Sequence, residues 1–137
     1  MNISLFRVLA VIAGVIAFVI ALLLMKPMLS VLHSSFPATT APDSTNWRTA
    51  VTVTNAAIFF ILYALFGALF GYLRPESKWK WGLWLAISSI LLAVIMLIFA
   101  GIEYPTTLIV GVMSGVAGGS LGAQLGANFK QRPVISN

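Results

Sequence analysis

Four long runs without a charged residue constrain this chain more than any other feature. They cover residues 8–25, 50–73, 81–100 and 106–129, and nearly all Lys, Arg, Asp and Glu residues stand between them. A helix rises 1.5 Å per residue, so a run of roughly 20 residues crosses a hydrocarbon core about 30 Å thick. With 60% hydrophobic and 8% charged residues, the chain is too apolar for a soluble domain of 137 residues. We therefore predict one all-α domain of four transmembrane helices.

The first run can be interpreted in two ways. It lies between Arg7 and Lys26, and a basic residue before an apolar stretch is also typical of a cleaved signal peptide. The run is longer than the usual signal-peptide core and no clear cleavage site follows, so we expect an uncleaved anchor. Residues 26–49 are predicted to form the outer loop, in which residues 28–36 continue the helix at the interface.

The distribution of basic residues predicts the orientation of the chain. Loops rich in Lys and Arg stay on the cytoplasmic side of a membrane. One predicted side has Arg7, Arg74, Lys78, Lys80, Lys130 and Arg132, whereas the other has Lys26 and Arg48. We expect both termini in the cytoplasm, and a bacterial or archaeal cytoplasmic membrane as the location.

The fourth run is rich in glycine. It contains six of the eleven glycines, which are Gly111, Gly115, Gly118, Gly119, Gly122 and Gly126. At 100° per residue these positions fall within one arc about 100° wide, which we call the glycine face. Gly67 and Gly71 form a similar step in the second run. Glycine lets two helix backbones approach closely in lipid, so all eight residues are predicted to form a helix-packing interface.

The partner of the glycine face is open at the level of sequence. The face can pack against the second helix within one bundle, as such motifs usually do. It can also join two copies of the chain or dock on a larger membrane protein. A third possibility is a glycine-lined permeation path.

Three polar residues are candidates for contacts with a substrate or a partner. Gln124 lies opposite the glycines together with Ser120, and an amide in a span usually forms an interhelical hydrogen bond. Asn55 belongs to the polar first turns of the second run. Glu103 lies at the predicted outer boundary of the membrane. We expect one of three roles for it: a solvated turn residue, a partner of a basic residue or a proton-coupling group.

The sequence offers few groups for catalysis. It contains no cysteine, so thiolate chemistry is excluded. The single histidine, His33, has no accompanying metal ligands, and Ser88 and Ser89 have no base to activate them. The glycine-rich run has no lysine at the spacing of a phosphate-binding loop. We expect no enzyme, cofactor, metal or nucleic acid.

Two functions remain. The first is a non-catalytic accessory, assembly or scaffold subunit in the lipid bilayer, which associates with other membrane proteins or with itself through glycine-mediated packing. The alternative is a small oligomeric transporter or channel lined by Asn55, Gln124 and Glu103.

Overall fold

The computed structural model describes residues 3–35, 45–77, 80–99 and 105–131, and these residues are almost entirely helical. The helices are α1 (Ile3–Ser35), α2 (Thr45–Leu73), α3 (Lys80–Phe99) and α4 (Pro105–Gln131), with a 3₁₀ turn at Pro75–Ser77. Each of the four α-helices is long and apolar enough to span a membrane, and the described residues include no strand. The predicted all-α fold with four transmembrane helices is confirmed.

The helices extend beyond the predicted apolar runs. α1 has 33 residues and continues through Pro27 to Ser35, so its length is about 50 Å. A proline inside a helix lacks the N–H that would bond the carbonyl group one turn earlier, but neighbouring helices make this tolerable in a membrane. The helical continuation predicted for residues 28–36 is thus observed as far as Ser35, whereas residues 45–49, which were predicted as part of the outer loop, belong to α2.

The register of the contacts gives the direction of each helix. Phe18 contacts Phe59 and Phe6 contacts Phe70, so α1 and α2 are antiparallel. Gly67 of α2 contacts Gly119 of α4, and the contacts continue with rising numbers on both helices. α2 and α4 are therefore parallel, as expected for two spans with one other span, α3, between them in the sequence. The main contacts place the helices around the bundle in the order α1, α2, α4, α3.

Small and aromatic side chains form the interior. The inner face of α1 consists of alanines, which are Ala10, Ala13, Ala17 and Ala21. They pack near a buried aromatic group that includes Phe18, Phe59 and Tyr63. Large aliphatic side chains are exposed on the outside of every helix. Such a surface is stable against lipid, because hydrocarbon chains are as apolar as leucine.

Four described cations, Arg7, Arg74, Lys80 and Lys130, lie at one end of the bundle, which we call the basic end. The Arg7 guanidinium lies 5.3 Å from the ring centre of Trp84, and the Arg74 guanidinium lies 5.0 Å from that of Phe6. The Lys130 ammonium donates a hydrogen bond to the carbonyl oxygen of Leu73 at 3.3 Å. Lys78 and Arg132, which are predicted on the same side, lie outside the described residues.

Candidate functional site

The glycine face of α4 lies directly against the backbone of α2. A Cβ atom added at any of three of its glycines would collide with a carbonyl oxygen of α2. The pairs are Gly118 with Phe60, Gly122 with Ala64 and Gly126 with Ala68. Such close approach allows Cα–H to oxygen contacts along several turns, and each contributes about 0.5–1 kcal/mol.

The contact is reciprocal. Cβ atoms at Gly67 and Gly71 of α2 would collide with carbonyl oxygens of Gly119 and Ala123 in α4. Residues 67–71 and 122–126 share the pattern Gly-Ala-x-x-Gly, and each segment contacts the other helix in the same way. The two helices thus form a local two-fold pair. The step between Gly67 and Gly71 was noted in the sequence, but the shared pattern and its two-fold relationship were not predicted.

The remaining glycines of the face contact side chains or a third helix. A Cβ at Gly111 would collide with the Asn55 amide, and one at Gly115 would lie 3.3 Å from the Tyr63 ring. At Gly119 the nearest atom would be the Cα of Gly82, also at 3.3 Å. All eight predicted glycines therefore lie within one chain, between α4 and its neighbours.

Two further close contacts were not predicted. A Cβ at Gly14 of α1 would collide with the Leu85 carbonyl oxygen and the Ser88 hydroxyl of α3. A Cβ at Gly82 of α3 would collide with the backbone of Ser120. The position of Gly14 among the regularly spaced alanines of α1 was the signal for the first contact.

Asn55 is buried at the contact between α2 and α4, with 3% of its surface exposed. Its amide Nδ2 donates a hydrogen bond of 2.8 Å to the carbonyl oxygen of Thr107. The hydroxyls of Thr52 and Thr107 are 3.0 Å apart and hydrogen-bonded. These bonds fix the first turn of α4 against α2.

Other interior hydroxyl groups bind helix carbonyl groups. The Tyr63 hydroxyl donates a hydrogen bond of 2.9 Å to the Gly14 carbonyl oxygen and thereby joins α2 to α1. Ser88 and Ser89 donate to the carbonyl oxygens of Leu85 and Ala86 in their own helix. The described residues contain no group of three His, Cys, Asp or Glu side chains that could hold a metal ion.

Gln124 points away from the bundle. Its side chain is exposed, and among the described residues it has no hydrogen-bond partner. In the local two-fold pair it corresponds to Leu69 of α2, which is 52% exposed. Gln124 lies about 9 Å from Lys130 along α4, within the apolar span. An amide therefore occupies a position where the matching helix presents leucine to lipid.

The three polar candidates are not brought together. Asn55 contacts α4 at Gly111. Gln124 lies about 20 Å further along α4 and faces outwards. Ser120, predicted beside Gln124, is half-buried and contacts Gly82. Glu103 lies outside the described residues.

A cavity of about 540 Å³ lies at the end opposite the basic end. Leu22, Leu29 and His33 of α1 line one wall, and Trp47, Val51 and Asn55 of α2 line another. The His33 and Trp47 rings meet edge to face, with 5.4 Å between their centres. This cavity was not predicted from the sequence, because it depends on how the four helices diverge.

Comparisons with protein-family models, with curated proteins and with solved structures find no match for this chain. The candidate sites therefore rest on the geometry of the chain itself. They are the cavity and the exposed amide on α4.

Proposed function

We propose that this chain is a non-catalytic membrane subunit that binds another transmembrane helix through the outward side of α4. The single observation that carries the proposal is the exposed amide of Gln124, with no partner among the described residues. An amide left without a hydrogen bond in an apolar medium costs several kcal/mol. A polar group on a partner helix would remove that cost.

The surroundings of Gln124 suit a helix partner. Ala117, Leu121, Gln124 and Asn128 are all exposed and follow one another at steps of four, three and four residues. This spacing keeps them on one side of α4, which we call the outer face, and it is the spacing of helix–helix seams. Ala117 is small enough to permit close approach, and the amide supplies a directional bond.

The glycine face is not the proposed partner contact, although partner binding was one of the alternatives that the sequence left open for it. Gly118, Gly122 and Gly126 already contact α2 in the same chain. A second helix could bind there only if α2 moved away. Because the outer face lies on the other side of α4, a partner can bind there while the bundle stays intact.

The partner is a second copy of this chain or another membrane protein. An amide both donates and accepts, so Gln124 can pair with Gln124 of a second copy or with a hydroxyl or amide of a different helix. We also propose that both termini lie in the cytoplasm of a bacterial or archaeal cell, because the basic end contains Arg7, Arg74 and Lys130.

The test is purification of the tagged chain in a mild detergent, followed by identification and mass measurement of the complex. Gln124→Leu is expected to weaken association about five- to thirtyfold, since an interhelical amide bond contributes about 1–2 kcal/mol. Gln131→Leu is the matched control, because Gln131 is an exposed amide at the end of α4. A monomeric native chain without any partner would contradict the proposal.

The alternative of a small transporter has its own test. Asn55 and Gln124 do not share one lining in the chain, so a path that uses both would have to involve several copies. Solute flux in liposomes that Gln124→Leu abolishes, with assembly unchanged, would favour the transporter over the subunit.

A further inference from the structure

The cavity at the end opposite the basic end has polar groups that already bond to one another. The Asn55 amide donates to the Thr107 carbonyl oxygen, and the hydroxyls of Thr52 and Thr107 form a hydrogen bond. The rest of the wall is predominantly aliphatic. A peptide segment would bring backbone N–H and C=O groups that this wall would leave without partners, whereas a hydrocarbon chain needs none.

The dimensions of the cavity suit a lipid chain. Its lining on α1 extends from Leu22 to His33, a distance of about 16 Å along the helix. Half of a hydrocarbon core roughly 30 Å thick is about 15 Å. The volume of about 540 Å³ lies within the range of roughly 300–1,000 Å³ that small-molecule sites occupy.

The outer part of the cavity has the chemistry of a membrane interface. His33 is exposed and its ring contacts the Trp47 ring, and the next residue on α2 is Arg48. Aromatic rings with a polar edge are favoured at the headgroup level, where one side is apolar and the other is wet. A cation at this level attracts phosphate groups.

We infer that the cavity binds one acyl chain of a membrane phospholipid, with its headgroup beside His33 and Trp47. In this site the acyl chain lies along Leu22 and Leu29 of α1 and Val51 of α2. This site is distinct from the outer face of α4, because Gln124 lies about 20 Å along α4 from the level of Asn55. Loss of one site is therefore expected to leave the other intact.

The experiment uses the full chain in bilayer nanodiscs that contain a phospholipid with a diazirine in its acyl chain. After illumination, the labelled residues are identified by peptide mass spectrometry. We expect labels on cavity residues such as Leu29 and Met96, and we expect unlabelled phospholipid to compete for them. Lipid that merely surrounds the helices would label exposed residues such as Leu65 in proportion to the mole fraction of the probe, whereas labelling of the cavity should saturate at a low mole fraction.

Two matched variants on α2 make the test specific. Val51→Phe places a ring in the cavity and is expected to lower cavity labelling about tenfold, or about 1.4 kcal/mol in affinity. Val53→Phe adds the same ring at an exposed position of the same helix, in a separate groove between α1 and α2, and is expected to leave the labelling of Leu29 and Met96 unchanged. Leu29→Phe repeats the test from α1 if Val51→Phe lowers the yield of folded protein.

Three results would overturn the inference. The first is labelling spread evenly over the exposed helix surfaces. The second is cavity labelling that unlabelled phospholipid does not reduce. The third is equal labelling of the cavity residues in Val51→Phe and Val53→Phe, when thermal unfolding shows that both variants are folded. Retained partner association in a Val51→Phe variant that has lost the label would separate the lipid site from the proposed function.

Discussion

The backbone of Gly122 lies so close to Ala64 that a Cβ on Gly122 would collide with the Ala64 carbonyl oxygen. The same relationship holds between Gly67 and the Gly119 carbonyl oxygen, in the reverse direction. α2 and α4 are thus joined through backbone atoms, and any side chain added at these positions must separate them.

The first prediction compares two glycines on α4. Gly122→Ala should lower the free energy of unfolding by about 1–3 kcal/mol, because the new methyl group forces the rigid backbone of α2 away. In Gly119→Ala the nearest atom would be 3.3 Å away, so a smaller loss is expected. Unfolding by heat or denaturant in detergent gives both values. Equal losses would contradict the geometry.

The second prediction concerns the pair Asn55 and Gly111. A methyl group at Gly111 would collide with the Asn55 amide. Gly111→Ala should therefore destabilise the native chain but cost less in an Asn55→Ala background, where the Phe59 ring, 3.3 Å from the new Cβ, is the remaining close neighbour. A double-mutant cycle measures this coupling, for which 0.5–3 kcal/mol is typical of residues in contact. Additive losses would show that the two residues do not meet.

A third prediction tests the bond between α1 and α2. Tyr63→Phe removes the hydroxyl that donates to the Gly14 carbonyl oxygen. We expect a loss of about 0.6 kcal/mol and of at most about 1.7 kcal/mol, the average and the maximum measured for interhelical hydrogen bonds in a membrane protein. Tyr72→Phe is the control, because Tyr72 is exposed. If both variants unfold alike, the Tyr63 bond contributes nothing.

The sequence was sufficient to predict the number of helices and that they span a membrane. In lipid, each long uncharged run can form all its backbone hydrogen bonds within itself only as a helix. The sequence also predicted that residues 28–36 continue the first helix beyond Pro27, and α1 extends to Ser35, since the loss of one backbone bond does not outweigh the rest of the helix. It was less informative about the start of α2, because residues 45–49 are helical although they were predicted as part of the outer loop.

The sites were only partly predictable. The spacing of the glycines placed them on one side of α4, but the direction of that side depends on the packing of all four helices. Gln124 could be placed opposite the glycines from the sequence, yet its exposure required the structure. The cavity beside Val51 had no sequence signal, because residues from all four helices line it.

A fourth prediction concerns orientation. The chain has no cysteine, so a single introduced thiol reports its own location. Ser35 and Glu76 lie towards opposite ends of the bundle, at the end of α1 and after the end of α2. In intact cells, a maleimide that cannot cross membranes should label Ser35→Cys and leave Glu76→Cys unlabelled. The reverse pattern would place the termini outside.

The central proposal, that a partner helix binds the outer face of α4, is tested most directly by photocrosslinking in native membranes. A benzophenone maleimide is attached to Leu121→Cys on that face, and to Leu65→Cys on the exposed side of α2 as the control. We predict one discrete adduct from Leu121→Cys, which identifies the partner by its mass and which Gln124→Leu strongly reduces. Equal adducts from both positions, or a Leu121→Cys adduct that Gln124→Leu leaves unchanged, would contradict the account.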